Sequence, residues 1–138
     1  MWIQKTIHSP LKVVWDLLDF TKSGSIPQME VRNPGDSDHN HVGYIRAIKS
    51  GNRTVVERLL SVETMKRYTY TLSDGAPVKD DYLGVVEFPE EGDATKVSWS
   101  VKFTPAIPGT GWICALVIKR AVKNIIDAVP DEKQRKNN

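Results

Sequence analysis

Residues 42–59 read VGYIRAIKSGNRTVVERL, two alternating runs on either side of the turn signal Ser50-Gly51-Asn52. In a half-buried strand, residues two apart share a face. Val42, Tyr44, Arg46 and Ile48 therefore look one way, as do Val55, Glu57 and Leu59 in the second run. The pattern continues to Pro105 through Tyr68, Tyr70 and Leu72, then Tyr82, Gly84, Val86 and Phe88, then Trp99, Val101 and Phe103. In the last run the opposite parity is Ser98, Ser100, Lys102 and Thr104, a plain solvent face. Turns are expected at Ser50 to Asn52, Val62 to Lys66, Ser73 to Pro77 and Pro89 to Asp93, which is the spacing of an antiparallel meander.

Two charges, Arg46 and Glu57, fall on the aromatic-rich parity. An unpaired buried charge is costly, so an inward Arg and Glu require a mutual bridge, trapped water or a polar ligand. Lying on successive strands, they can satisfy each other and still present an oxygen or nitrogen to a cavity.

Outward from these runs, Trp2 to Ile7 reads as a strand, and Ser9-Pro10 as a helix start with a capping hydroxyl and proline in the first turn. Leu11, Val14, Trp15 and Leu18 follow at helical spacing, with the helix ending near Phe20. Thr21 to Gln28, holding Gly24 and Pro27, allows only a short second helix or a turn, and Asn33 to Asn40 reads as a polar loop. After Pro105 and Pro108, Thr110 is the expected cap of a long helix that ends before Pro130. One side of that helix carries Cys114, Ala115, Ile118, Val122, Ile125 and Val129, the stripe expected against the concave side of the sheet. The other carries Lys119, Arg120, Lys123, Asn124 and Asp127, but near the start Trp112, Ile113, Leu116 and Val117 extend apolar surface onto it. Nearby loops, a cavity mouth, a second copy or a lipid surface would cover them. Residues 1–129 are expected to form one domain, and 130–138 a flexible polar tail.

With 26% charged and 40% hydrophobic residues among 138, the composition fits one globular domain able to bury a core without disulfides or structural metal. A net charge of +2, with no Lys/Arg cluster interleaved with exposed aromatics, argues against nucleic-acid binding. The lone cysteine, Cys114, excludes an internal disulfide and fits a reducing compartment. No signal-peptide pattern precedes the first strand, and no apolar run reaches the roughly 18 residues a spanning helix needs. A cytoplasmic protein without stable membrane insertion is expected.

Catalytic signatures are few. No Gly-x-Ser-x-Gly motif is present, and Cys114 sits on an apolar helix face where a buried inert thiol is the simpler reading. Asp36, Asp38, His39 and His41 match no metal-site spacing, and Asp80 and Asp81 point to opposite sides of a strand. No catalytic residue, metal ligand or cofactor is assigned.

Several phrases nevertheless resemble a known family: His8-Ser9-Pro10 with Val14-Trp15-Asp16, Val42-Gly43-Tyr44-Ile45-Arg46, and Val56-Glu57-Arg58-Leu59. Tyr68-Thr69-Tyr70, Pro77-Val78 with Asp81-Tyr82, and Thr95-Lys96-Val97-Ser98-Trp99 leading to Phe103-Thr104-Pro105 follow. In order and spacing the chain resembles the polyketide cyclase/dehydrase-like branch of the START and Bet v 1-like (SRPBCC) superfamily. The resemblance implies an α+β helix-grip fold: a curved antiparallel sheet wrapped around a long C-terminal helix, with two short helices after the first strand and an internal cavity for a hydrophobic or amphipathic molecule. In the similar plant abscisic-acid receptors the positions of Glu57 and Tyr82 join a water-bridged polar network at the ligand. The receptors' ligand-pairing lysine and gate loop have no counterpart, since Ser50 to Arg53 is too short for a lid.

The expectation is non-covalent binding of a small hydrophobic or amphipathic ligand, such as a lipid or polyketide. Arg46, Glu57 and Tyr82 are the expected polar anchors, and Val55, Leu59, Tyr70, Val86, Trp99, Val101, Ile118 and Val122 the walls. The alternative is a polyketide cyclase or dehydratase in the same cavity, with Arg46 holding an enolate or carboxylate and Glu57 or Tyr82 moving a proton. A third class is an interaction module, in which the surface near Trp112 and Leu116 meets a second copy or a membrane.

Overall fold

The computed structural model describes residues 1–22, 28–50 and 52–129. Eight strands form a single antiparallel sheet: β1 (Trp2–Ile7), β2 (Met29–Asn33), β3 (Ile45–Ser50), β4 (Arg53–Glu63), β5 (Arg67–Asp74), β6 (Leu83–Glu87), β7 (Glu90–Glu91) and β8 (Ala94–Lys102). Among the described residues two α-helices accompany them, α1 (Leu11–Leu18) and α2 (Gly111–Asp127), with a short 3-10 turn at Ser37–His39. The strand order is β1-β8-β6-β5-β4-β3-β2, with β7 pairing back on β8. From β2 to β6 neighbours in sequence are neighbours in space; the one long jump returns β1 to β8, where Trp2 pairs Ser100 and Ile7 pairs Thr95.

Most positions assigned to the interior by parity are buried, but Val42, Ile48, Val55, Leu72 and Phe103 are only half-buried, and Ala47 and Val56, of the opposite parity, are buried. Tyr44, Leu59, Tyr68, Tyr70, Tyr82, Val86, Phe88, Trp99 and Val101 lie in one core with Ile7, Val14, Trp15, Leu18 and Phe20. β8 shows the alternation most cleanly: Thr95, Val97, Trp99 and Val101 are buried while Lys102 is exposed. From α2, Val122 and Ile126 join this core, and Cys114 is buried as well.

Four departures from the sequence reading have physical causes. First, β2 was unforeseen within the stretch before the polar loop. It is an edge strand whose side chains from Glu30 to Asn33 are all exposed, so it is held by backbone pairing to β3 and leaves no apolar alternation. Second, β4 runs through Val62 to Glu63 instead of turning at Val62. Leu60 has no partner between the pairs Leu59↔Tyr70 and Ser61↔Thr69, and this bulge brings Val62 opposite Tyr68. The turn is shorter, closing where the Lys66 amide donates to the Glu63 carbonyl with Met65 at φ 67°. Third, Thr110 precedes α2, but its hydroxyl donates back to the Ile107 carbonyl at 2.6 Å and does not cap the helix. Fourth, Pro10 stands one position before α1, its carbonyl accepting from the Val13 and Val14 amides. Of the short second helix or turn expected over Thr21 to Gln28, residues 23–27 lie outside the described residues, as does the expected tail 130–138.

Candidate functional site

The pairing of β3 with β4 sets Arg46 directly across from Glu57. Their inward parity carries both charges beneath the sheet, where the Arg46 side chain is 2% exposed and that of Glu57 11%. Arg46 Nε donates to Glu57 Oε1 at 2.8 Å, and Nη1 donates to the Phe20 carbonyl at 3.2 Å. The guanidinium carbon stands 3.9 Å above the centre of the Phe20 ring, a cation–π contact in a desolvated place. The chain returning from α1 thus gives Arg46 both an acceptor and an aromatic floor. Among the described residues nothing bonds Arg46 Nη2 or the second carboxylate oxygen of Glu57. A guanidinium has more donors than these two bonds use, and an ionised carboxylate accepts at both oxygens.

Aromatic groups surround the pair. Tyr70 accepts a hydrogen bond from Trp99 Nε1 at 2.9 Å, and its ring lies 6.1 Å from that of Tyr82. Tyr68 donates to the Leu18 carbonyl at 2.9 Å and packs 5.9 Å from Phe20. Burial, reinforced by the negative charge of Glu57, raises the phenols of Tyr68, Tyr70 and Tyr82 well above the ordinary tyrosine value. All three remain neutral O–H groups at any physiological pH.

The position of Tyr70 depends on Gly84, its cross-strand partner on β6. A Cβ built at Gly84 would stand 2.3 Å from Tyr70 Cε1 and 2.4 Å from Cζ, so the ring occupies the space a side chain would need. Gly84→Ala should displace the ring, break the Trp99 bond and cost about 1–3 kcal/mol as an overpacked core. Urea unfolding together with the Trp99 indole resonance in a proton–nitrogen spectrum checks this. An unmoved indole signal would show that the ring yields without loss.

Of the residues selected from the sequence, Arg46, Glu57, Tyr70, Tyr82 and Trp99 are all buried, as are Val101 and Val122. Ile118 is half-buried at the margin of the core. A crevice of about 220 Å³ opens beside this layer, between Trp15, Phe20, Leu59 and Tyr68, with Asp19 and His41 among its polar lining. Those eight residues do not line it, but Phe20, which does, carries the Arg46 guanidinium against its ring. A wider, open trough of about 420 Å³ runs on the far side past Lys66, Glu87, Glu90 and Lys96. Phe20 was not foreseen as part of the site; its role arises from where the chain turns after α1, for which no local signal exists.

Other chemistry-bearing residues stand apart. His39 Nδ1 meets Asp36 at 2.7 Å and His41 Nδ1 meets the Pro34 carbonyl at 3.0 Å, both in an exposed loop. Among the described residues no cluster of three His, Cys, Asp or Glu gathers as for a metal ion. The thiol of Cys114 is buried, with Sγ 3.8 Å from the Pro77 carbonyl. Among the described residues no helix is long and apolar enough to cross a membrane.

A one-sided curved sheet, a short helix after the first strand and a long C-terminal helix over a core holding a buried ion pair define the Bet v 1-like helix-grip class. Residues 3–131 match the family described as polyketide cyclase / dehydrase and lipid transport, and the chain belongs to that family. Among solved structures it is similar to an uncharacterised protein from Bacillus thuringiensis, at 20% identity and a TM-score of 0.73 over 94% of both chains. It is also similar to a protein from Thermobifida fusca, at 26% identity and a TM-score of 0.64 over 94% of this chain and 83% of that one. Ara h 8.0201 matches at 16% identity and a TM-score of 0.71 over 94% of this chain and 93% of that one. No curated protein matches the chain.

Proposed function

We propose that this protein binds a small hydrophobic or amphipathic molecule, such as a lipid or polyketide, non-covalently on the concave side of its sheet. One observation carries the reading: among the described residues, a buried ion pair inside an aromatic layer leaves Arg46 Nη2 and one oxygen of Glu57 without a partner. Buried polar groups are rarely left unmade, so a guest offering an acceptor to Arg46 and a donor to Glu57 fits the gap. Tyr82 supplies a third polar contact, and Tyr70, Trp99, Val101, Ile118 and Val122 the apolar walls. Burial of ligand surface at about 25 cal/mol per Å² drives association, and the polar groups orient the guest. The crevice beside Phe20 and Tyr68 is the entry route in this reading. The buried free Cys114 is compatible with a reducing, cytoplasmic setting.

Amide spectra recorded while fatty acids, sterols, flavonoids and polyketides are titrated in turn test the proposal. At least one class should shift the signals of Glu57, Tyr82 and Trp99; silence at all three across the panel would remove the binding role.

A second reading is supported by the family's cyclase and dehydrase members and by the neutral phenols beside a charged pair. Arg46 would hold an enolate while Glu57 or Tyr82 moved a proton. Incubation with poly-β-keto thioester mimics decides it: turnover must fall in Arg46→Ala and Glu57→Gln, and turnover unchanged in both rules these residues out as catalysts. The bare apolar surface near Trp112 and Leu116 additionally supports a contact role, toward a second copy or a membrane.

A further inference from the structure

We propose that the first half of α2 is a docking surface for a bilayer bearing anionic headgroups. This rests on the reading of that surface as a contact site and is independent of what the sheet encloses. Trp112, Ile113, Leu116 and Val117 are 67%, 45%, 59% and 63% exposed, and Ile107, held beside the helix start by the Thr110 hydroxyl, is 62% exposed. Single exposed apolar residues need no explanation; five around one helical end form a patch, and patches of that kind mark interaction sites. The opposite face of the same helix is committed to the core through Cys114, Val122 and Ile126, so the patch cannot be buried by a small rotation.

Charge selects the occupant. Along the face that begins with Trp112 and Leu116, the next turns present Lys119, Arg120 and Lys123, all exposed and none in an ion pair among the described residues. Asp127, the acid that follows on this face, already binds Lys5 at 3.0 Å. A second copy packed on this face brings no free acid to meet these cations, since its own Asp127 is likewise engaged by Lys5. An anionic surface neutralises them while the apolar turns sink among the acyl chains, the arrangement of an interfacial helix lying in the membrane plane. Trp112 suits the headgroup boundary, where indole rings gather.

The full chain is sedimented with vesicles of phosphatidylcholine alone and of phosphatidylcholine mixed with phosphatidylserine, at low and high salt. Binding is expected on the mixed vesicles, weakened by salt, and reduced about tenfold or more both by the pair Leu116→Ser and Val117→Ser and by the pair Lys119→Gln and Lys123→Gln. Because the four positions are exposed, near-UV circular dichroism of both double variants should match the parent. No binding to the mixed vesicles overturns the proposal, as does equal binding to neutral ones. A dimer in sedimentation equilibrium that Leu116→Ser dissolves assigns the patch to a second copy and overturns it too. Ligand shifts at Glu57, Tyr82 and Trp99 without vesicle binding would leave the pocket reading standing alone; vesicle binding without those shifts would do the reverse.

Discussion

Arg46→Ala should destabilise the protein by about 3–5 kcal/mol, the usual result of stripping one partner from a buried pair. The loss has two parts. Glu57 is left charged in a layer of aromatic rings, and the Phe20 carbonyl and ring lose the guanidinium that covers them. Glu57→Gln should cost less, about 1–2 kcal/mol, because an amide oxygen still accepts from Nε and Arg46 keeps its contacts to Phe20. Glu57→Leu should cost more than Glu57→Gln, since it removes the acceptor altogether. Replacing both charges, with Arg46→Met and Glu57→Leu together, should recover most of the stability, because well-packed apolar side chains often equal or exceed the pair they replace. Urea unfolding of the set as a double-mutant cycle measures the coupling. The double variant separates structure from function: it should fold, yet it offers neither charged anchor. If it binds the identified ligand as tightly as the parent, the pair serves the fold alone. An Arg46→Ala cost below about 1 kcal/mol would place the pair energetically among surface salt bridges and remove the reason to expect a guest.

How far such a site can be foreseen is clear from its members. Arg46 and Glu57 were found by parity because the aromatic core lies on one face of the sheet, and a period of two then sorts most side chains without knowledge of the fold, the buried pair Ala47 and Val56 on the other face being an exception. Their pairing needed the register as well, which runs unshifted from Ser50↔Arg53 to Ile45↔Arg58. Tyr70 and Trp99 were legible for the same reason, whereas the bond between them depends on Gly84 leaving room for a ring, a relation between two strands that neither announces alone. Where parity breaks, foresight stops. The unpaired Leu60 reverses the phase of β4, so counting in twos from Glu57 places Val62 on the wrong face. β2 escaped because an exposed edge strand has no buried side to mark. Phe20 escaped because its contact with Arg46 is made by chain return across a sequence separation of 26. The stripe on α2 was legible from helical spacing, and so was the apolar patch that no described element covers.

Alkaline pH should unfold this protein through its buried phenols. The ordinary tyrosine value is 10.0, and burial raises Tyr68, Tyr70 and Tyr82 well beyond it. Below about pH 10 folded and unfolded chains both hold these protons, and stability does not respond. Above it the unfolded chain releases them while the folded chain keeps them. The unfolded state then binds fewer protons, so stability falls as pH rises. Each such tyrosine contributes about 1.4 kcal/mol per pH unit, and the three together about 4 kcal/mol per unit. Against a typical domain stability of about 5–15 kcal/mol, a domain at the low end of that range is expected to unfold little more than one unit above pH 10. Tyr44 is also raised by its burial, against the opposing pull of Arg46, so no tyrosine of the chain should titrate at the ordinary value in the folded state. The main rise in tyrosinate absorbance, from Tyr68, Tyr70 and Tyr82, should therefore coincide with the change in far-UV circular dichroism. Tyr82→Phe should lower its pH slope by about one tyrosine's share and leave the neutral-pH spectrum intact. Absorbance rising near pH 10 while the dichroism stays native would mean that water already reaches these phenols, and a site so wet would have little apolar surface to offer a guest.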